Sequence, residues 1–225
     1  MHATQTDVDR LLEAILPHVP FEGWSKVALD AAADDLGMSA AELRAAAPGG
    51  AQALAALQHQ RGDGEMTAAL AARGDLGEMR YRDKVALLIW LRLEAAGDKE
   101  SVRRASSLFA LPHMAPKGAQ LIWGTADAIW QALGDQSDDV NWYTKRATLS
   151  AVYGAVVLFW LGDTSEDGAD TRAFIDRRIE NVMQIEKVKA NPVLKPLSKL
   201  FAGIHAPRGQ GTFVDDLPGR SDAIP

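Results

Sequence analysis

The sequence predicts an all-α protein. Apolar residues recur at spacings of three and four along most of the 225 residues, and alternating stretches typical of strands are almost absent. Glycine and proline interrupt this pattern at intervals that suit helices. The chain has no cysteine, which excludes a disulfide scaffold or a zinc ribbon, and its 47% hydrophobic residues suffice for a buried core.

The first fifty residues predict a three-helix unit, which we take as a domain over residues 1–50. A first helix is expected over residues 7–16, and a second starts near residue 24 and stops at Gly37. Glycine readily adopts the left-handed backbone conformation that often ends an α-helix. Ser39 and Glu42 have the spacing of a capping box, which predicts the start of a third helix.

Residues 51–190 predict a helical bundle. Segments 85–91 and 147–161 are apolar on every side, which predicts that their helices lie inside the bundle. The expected helices cover residues 52–73, 80–96, 99–108, 116–133, 142–161 and 171–189. Beyond a last helix within residues 191–205, the Pro-, Gly- and Asp-rich residues 206–225 predict a mobile tail.

Motifs for catalysis or metal binding are not found in the sequence. The five histidines are scattered, and Gly62-Asp63-Gly64 lacks the preceding strand and lysine of a phosphate-binding loop. The run from Asp163 to Gly168 imitates a calcium loop, but Phe174 stands where the bidentate carboxylate is needed, so an acidic helix-capping turn is predicted instead. We expect no metal, no cofactor, no catalytic residue and no enzymatic activity.

The last predicted helix, residues 193–204, is amphipathic and basic. From Lys187 to Ile204 there are four lysines and no acidic residue, although the chain carries a net charge of −6. This composition is typical of a helix that lies in a membrane interface, whereas the alternative is a helix that closes the bundle. The predicted membrane contacts are Val193, Leu194, Lys195, Leu197, Lys199, Leu200, Phe201 and Ile204. Without an apparent export signal, we expect a cytoplasmic bacterial protein, peripheral at the inner membrane.

Residues 27–47 have the spacing of a helix-turn-helix, and a larger bundle follows, so the layout resembles that of TetR-type regulators. Residues 22–47, however, contain five acidic side chains and only two basic ones, Lys26 and Arg44. Such a surface repels DNA, so we expect a packing module that binds no nucleic acid. A ligand-responsive transcriptional regulator of the TetR family remains the alternative function.

Several motifs resemble those of one family. They are VPFEGW at 19–24, LPH at 111–113, DQSDDVNWYTKR at 135–146, Tyr153, DTS at 163–165 and TRAFIDRRI at 171–179. They are similar to motifs of the accessory lipid-binding protein family of ubiquinone biosynthesis, and the likeness extends over about residues 8–190. The resemblance implies a TetR-like fold, a homodimer and a noncatalytic role in which an isoprenoid lipid is bound in the bundle.

The same resemblance implies a partner, the di-iron hydroxylase that acts on demethoxyubiquinone. It places the partner contact at Trp142 and Tyr143, with Ile129, Asp139 and Leu93 beside them. An aromatic residue that begins a helix after an acidic turn can anchor an interface, although Trp142 could instead fasten the turn to the bundle.

The implied ligand is a polyprenyl quinone intermediate, and a bound phospholipid is a further possibility. Candidate wall residues come from the apolar helices, where each could equally be ordinary core: Leu88, Leu91, Leu121, Ile122, Val152, Val156 and Phe159. We therefore predict a protein that docks on the membrane, draws a prenyl lipid into its bundle and presents it to the hydroxylase.

Overall fold

The computed structural model describes residues 5–138 and 140–189, in which the all-α prediction is confirmed. Within these ranges there are ten α-helices, one 3₁₀ turn at Glu166–Gly168 and no strand. The helices are α1 Gln5–Ile15, α2 Val19–Glu22, α3 Lys26–Asp35, α4 Ala40–Ala46, α5 Gly50–Arg73, α6 Tyr81–Glu94, α7 Lys99–Phe109, α8 Ala115–Ala132, α9 Val140–Gly162 and α10 Ala169–Lys189.

The N-terminal helices begin and end where the capping residues predict. The backbone N–H of Ser39 donates to Glu42 Oε2 at 2.8 Å, and the backbone N–H of Glu42 donates to Ser39 Oγ at 3.3 Å. Gly37 has a φ of 62°, a conformation that glycine adopts without steric cost. The predicted capping box is therefore confirmed. The short α2 is absent from the predicted helices, because Pro20 interrupts the helical pattern, although proline is tolerated in a first turn.

Two apolar cores share one long helix. Leu11, Leu12 and Ile15 of α1 belong to the first core, together with the start of α5 at Leu54. The second core contains Met66 from the other end of α5 and residues of α6, α8, α9 and α10. Because α5 contributes to both, the N-terminal unit and the bundle are joined through a continuous helix of 24 residues.

Helix α9 is only partly buried, so the prediction that it is enclosed on all sides was wrong. Leu158 is 69% exposed and Phe159 is 36% exposed, whereas Val152, Val156 and Trp160 are buried. The reason lies in the packing: α9 lies against α7, α8 and α10, and these neighbours leave part of its surface uncovered. A helix with apolar residues on all sides can therefore still expose part of its surface.

Several predicted features lie outside the described residues. They are the amphipathic helix over residues 193–204, the tail over residues 206–225, and Asp139. Among the helices that the structure does describe, none combines the length and the hydropathy that a transmembrane segment needs.

Candidate functional site

A cavity of about 350 Å³ lies in the bundle among α5, α6, α7, α8 and α9. Its volume is near the lower end of the range of about 300–1,000 Å³ that is usual for small-molecule sites. Small residues line much of it, and they leave space where larger side chains would meet. These residues are Ala55, Ala96, Ala105, Ala110, Ala119 and Gly154. Gly118 also lines the cavity, but a Cβ there would lie 2.9 Å from Cβ of Phe109.

The cavity opens to solvent beside α9. Leu158 lines the cavity and is nevertheless 69% exposed, which marks its mouth. Ala110, after α7, and Ala119, on α8, also line the cavity and are exposed. The mouth therefore lies between α9 and the connection from α7 to α8, and an elongated apolar ligand could extend through it.

One edge of the cavity is polar and carries a buried ion pair. Arg92 is only 2% exposed, and its Nε donates to Asp63 Oδ1 at 2.6 Å. Its Nη2 donates to the backbone carbonyl of His59 at 2.7 Å. Thr125 adds a hydrogen bond of 2.7 Å from its hydroxyl to Asp63 Oδ1. The charge of Arg92 is thus compensated within the wall of the cavity.

Gly62 makes the approach of Arg92 possible. A Cβ atom at this position would lie 2.6 Å from Nη1 of Arg92, well inside van der Waals contact. The Gly62-Asp63-Gly64 motif thus has a structural role within α5: Gly62 provides space for the guanidinium and Asp63 provides its counter-charge. Sequence reasoning missed this pair, because the residues that it joins are 29 positions apart in the chain.

His59, next to Arg92 at the cavity wall, is neutral at pH 7. Burial lowers its pKa to about 4, and the nearby positive charge of Arg92 adds to the decrease. Its Nε2 lies 2.9 Å from Thr125 Oγ1. An uncharged imidazole therefore links α5 to α8 beside the ion pair.

We predict that this buried histidine makes the protein sensitive to mild acid. Below about pH 6.5 the unfolded chain takes up a proton at His59 that the folded chain takes up only near pH 4, so stability falls as the pH falls through this window. From pH 7 to pH 5 the expected contribution is about 2 kcal/mol. Urea unfolding at both pH values would measure it. The variant His59→Gln should show a smaller loss by that amount, and an equal loss in both chains would contradict the prediction.

A second cluster, the aromatic patch, is formed by Trp123, Trp142 and Tyr143 where α8 and α9 meet. The Trp142 ring lies 5.9 Å from that of Trp123 and 4.8 Å from that of Tyr143, in an edge contact. All three side chains are half-buried, so the patch combines packed and accessible aromatic surface. Sequence reasoning identified Trp142 and Tyr143 but missed Trp123, which comes from another helix.

The buried Arg146 packs against the aromatic patch at the Trp142 ring. The guanidinium carbon of Arg146 lies 4.1 Å from the centre of the Trp142 ring. Arg146 Nε donates to Asp127 Oδ1 at 2.6 Å, and its Nη1 donates to Asp135 Oδ2 at 3.1 Å. Although burial acts to raise it, hydrogen bonds from Lys145, Ser137 and Arg146 lower the pKa of Asp135 below its usual value, so this carboxylate stays charged.

Two of the predicted partner contacts are not at the surface of the chain. Ile129 is fully buried in the bundle core, and Leu93 is 2% exposed and lines the cavity. The resemblance alone placed both residues beside Trp142. Because their side chains are buried, they cannot contact a partner that binds to the surface, and the structure corrects these two predicted contacts. Asp139 lies outside the described residues, which leaves Trp142 and Tyr143 as the accessible pair.

Among the predicted cavity residues, the structure places Leu121 and Ile122 in the wall. Leu88, Leu91, Val152 and Val156 instead belong to the solid core, and Phe159 stacks on Phe174 with ring centres 4.3 Å apart. On α9 the wall is formed by Tyr153, Gly154, Val157, Leu158 and Trp160. The prediction rests on the apolar pattern within each helix, whereas the contacts between helices decide which residues border the cavity.

The acidic run after α9 caps the next helix, as predicted. Asp163 Oδ2 accepts hydrogen bonds from the backbone N–H of Thr171 at 2.9 Å and from its hydroxyl at 2.5 Å. Hydrogen bonds from Ser165 and Thr171 hold the pKa of Asp163 well below its usual value. In the described ranges no cluster of three or more His, Asp or Glu side chains is arranged to hold a metal ion.

Comparison with known proteins identifies relatives of one kind. Residues 115–186 match the model of the COQ9 family. Ubiquinone biosynthesis protein COQ9, mitochondrial, of Homo sapiens is 31% identical over 184 residues, which cover 78% of this chain and 57% of that protein. The protein of the same name from Drosophila melanogaster is 28% identical over 192 residues, or 82% of this chain and 59% of the relative. The chain thus spans less than two thirds of the length of these relatives.

A solved structure supports the predicted fold. A TetR transcriptional regulator from Nitrosomonas europaea superposes with a TM-score of 0.64, over 78% of this chain and 97% of that one. At 19% sequence identity this likeness concerns the fold alone. The predicted TetR-like architecture, a helix-turn-helix-like unit followed by a bundle, is therefore confirmed.

Proposed function

Starting from its relationship to the COQ9 proteins, we propose that this chain acts in ubiquinone biosynthesis as a noncatalytic lipid-binding protein. It binds an isoprenoid quinone intermediate in the bundle and presents it to the di-iron hydroxylase of demethoxyubiquinone. The observation that carries the proposal is the apolar cavity of about 350 Å³ with a single charge-compensated polar edge. A prenylated aromatic head has this combination of an apolar body and few polar groups.

The size and the mouth of the cavity determine how such a lipid would fit. A volume near 350 Å³ holds a head group and the start of its tail, but not a long polyprenyl chain. The remaining tail would leave past Leu158 at the exposed surface of α9. Leaving one five-carbon prenyl unit in water would cost roughly 3 to 4 kcal/mol. An apolar cavity avoids this cost for the enclosed unit when the head leaves a bilayer.

We predict that filling the cavity at Gly154 abolishes lipid binding without unfolding the protein. A Cβ atom here would meet only Ile122 Cδ1 at 3.8 Å, so the added side chain of Gly154→Leu would occupy the void. Gly154→Ala is the matched control, because it adds one methyl group and stabilises the helix by about 0.5–1 kcal/mol. Native mass spectrometry of the purified proteins should show a co-purified prenyl lipid or phospholipid in the wild type and in Gly154→Ala only. Equal occupancy in Gly154→Leu would contradict the proposal.

The presentation step is assigned to the aromatic patch. Trp142 and Tyr143 are adjacent and half-buried, and the buried Arg146 packs on the Trp142 ring. Aromatic side chains fixed in this way are typical anchors of protein interfaces. We further propose that the chain forms a homodimer, as the family resemblance implies; sedimentation velocity would measure its oligomeric state.

Membrane docking is assigned to the predicted amphipathic helix over residues 193–204. We expect Leu197→Glu combined with Phe201→Glu to abolish binding to phosphatidylglycerol-containing liposomes, because two charges then interrupt the apolar stripe. Ser198→Glu with Ala202→Glu adds the same charge beside the stripe and should retain most of the binding. Flotation of the liposomes would measure both. Binding that survives the first pair of changes would exclude this docking surface.

The alternative, a DNA-binding regulator, has less support from the helix-turn-helix-like unit. Residues 22–47 contain five acidic side chains and two basic ones, and Lys26 forms an ion pair with Asp30 at 2.5 Å. Phosphate recognition requires available positive charge on and around the second helix. A gel-shift assay against the promoter of its own gene would test this alternative directly.

A further inference from the structure

We propose that the polar edge of the cavity selects a neutral ligand head that donates a hydrogen bond, such as a phenol or hydroquinone hydroxyl, over the corresponding quinone. This inference rests on the proposed function, because it concerns the ligand of the same cavity. It adds the chemical state of the head group, which the relationship to COQ9 proteins does not specify.

The first observation is an unused acceptor in the wall. Gln58 lines the cavity, and its buried Oε1 accepts no hydrogen bond. Its amide nitrogen lies beside the turn after α6, where a Cβ atom at Gly97 would be 3.6 Å from Nε2. Leaving a buried acceptor without a donor is costly, so a ligand that donates to Oε1 gains more than one that only accepts.

The second observation concerns which groups donate the hydrogen bonds among Asp63, Thr125 and His59. The Asp63 carboxylate can only accept, so the 2.7 Å bond from Thr125 uses the single hydroxyl proton of Thr125. The contact of 2.9 Å between Thr125 Oγ1 and His59 Nε2 must then be donated by the histidine. The hydroxyl proton of Thr125 and the Nε2 proton of His59 are thus both used inside this network, and neither is left to donate to a head that only accepts.

The third observation concerns charge. Among the described wall residues, Arg92 alone carries a full charge, and Asp63 compensates it at 2.6 Å. No excess positive charge is left for a phosphate or carboxylate head. The hydroxyl groups of Ser101, Ser106 and Tyr153 can both donate and accept, so they accommodate either kind of head, and the unsatisfied Gln58 Oε1 decides the preference. A quinone, which has acceptors only, would leave Gln58 Oε1 unsatisfied.

The test uses two redox-inert probes, 4-pentylphenol and its methyl ether 4-pentylanisole. They share ring and tail, but only the phenol donates a hydrogen bond. We expect the wild type to bind the phenol about tenfold more tightly by equilibrium dialysis, as one buried hydrogen bond permits. In Gln58→Met, which keeps the side-chain volume and removes the acceptor, the preference should fall about tenfold. Gln58→Leu serves as a second variant, and thermal unfolding verifies that both fold.

The outcomes separate this inference from the proposed function. If the wild type binds both probes equally, or if the preference is the same in Gln58→Met, the selection of a donor is wrong while the lipid-binding cavity stands. If neither probe binds, or if Gly154→Leu binds both as tightly as the wild type, the cavity is not the ligand site and both proposals fail.

Discussion

Asp63→Ala is expected to lower the free energy of unfolding by about 3–5 kcal/mol, because it leaves the charge of Arg92 buried without a partner. Arg92 is 2% exposed, and its Nε to Asp63 Oδ1 distance is 2.6 Å. The same change deprives the Thr125 hydroxyl of its acceptor. A domain is typically stable by only about 5–15 kcal/mol, so this single substitution would remove a large part of the total.

The expected loss comes from an unpaired charge, and a second substitution should therefore reverse much of it. In Asp63→Ala combined with Arg92→Met no charge is buried, and an apolar side chain replaces the aliphatic part of the arginine. Glu78→Ala, at an exposed acidic residue between α5 and α6, is the control and should change stability little. Urea unfolding followed by circular dichroism at pH 7 compares the four chains. A loss below 1 kcal/mol in Asp63→Ala, or a double variant no more stable than the single one, would show that the pair is not as buried as described.

The helix pattern of this protein was predictable because it depends on local chemistry. From α5 to α10 each predicted end lies within two residues of the observed one, since glycine, proline and capping side chains act on the backbone next to them. Ser39 with Glu42 is the clearest case. The short α2 was the exception, because Pro20 is compatible with both a helix start and a helix stop.

The cavity was not predictable in the same way, because it is a property of contacts between distant residues. Leu88 and Val156 were chosen as bulky apolar residues, and such residues fill a core. Gly154 lines the cavity where its missing side chain leaves room, whereas a Cβ at Gly118 would lie 2.9 Å from Cβ of Phe109, and nothing in the sequence shows which small residues border a void. Glycines within otherwise apolar helices were the signal that could have directed attention to α8 and α9.

Burial explains the other corrections. A sequence resemblance indicates which residues correspond, but not whether their side chains are exposed. Ile129 and Leu93 were predicted as surface contacts, and in this chain both are buried. Asp63 was set aside for lacking the context of a nucleotide-binding loop. Its partner Arg92 lies on the next helix, and an isolated pair of opposite charges 29 residues apart has no recognisable pattern.

The position of the Trp142 ring in the aromatic patch is stabilised by a buried network of charged side chains. Arg146 is 2% exposed, and its guanidinium is fixed by Asp127 on one side and Asp135 on the other. Its guanidinium carbon lies 4.1 Å from the centre of the Trp142 ring. A ring held in this way loses little conformational freedom when a partner covers it, so more of the contact energy is available for binding.

If the di-iron hydroxylase is the partner, as proposed, Trp142→Lys is accordingly expected to weaken its binding at least about thirtyfold, or about 2 kcal/mol, the loss typical of an aromatic hot spot. The substitution removes the ring and places a second positive charge beside Arg146. Surface plasmon resonance with immobilised hydroxylase would measure the change. Lipid occupancy by native mass spectrometry should be retained, because Trp142 does not line the cavity.

Phe21→Lys is the matched control for this experiment. Phe21 is 81% exposed on α2, in the N-terminal unit, so the same replacement there adds the same charge at an exposed aromatic without touching the patch. Its affinity for the hydroxylase should equal that of the wild type. Equal weakening in both variants would mean that overall charge governs the association, and unchanged binding in Trp142→Lys would remove the aromatic patch from the interface. In either case the cavity and the lipid binding proposed for it would be unaffected, since the cavity is lined by the opposite end of α9.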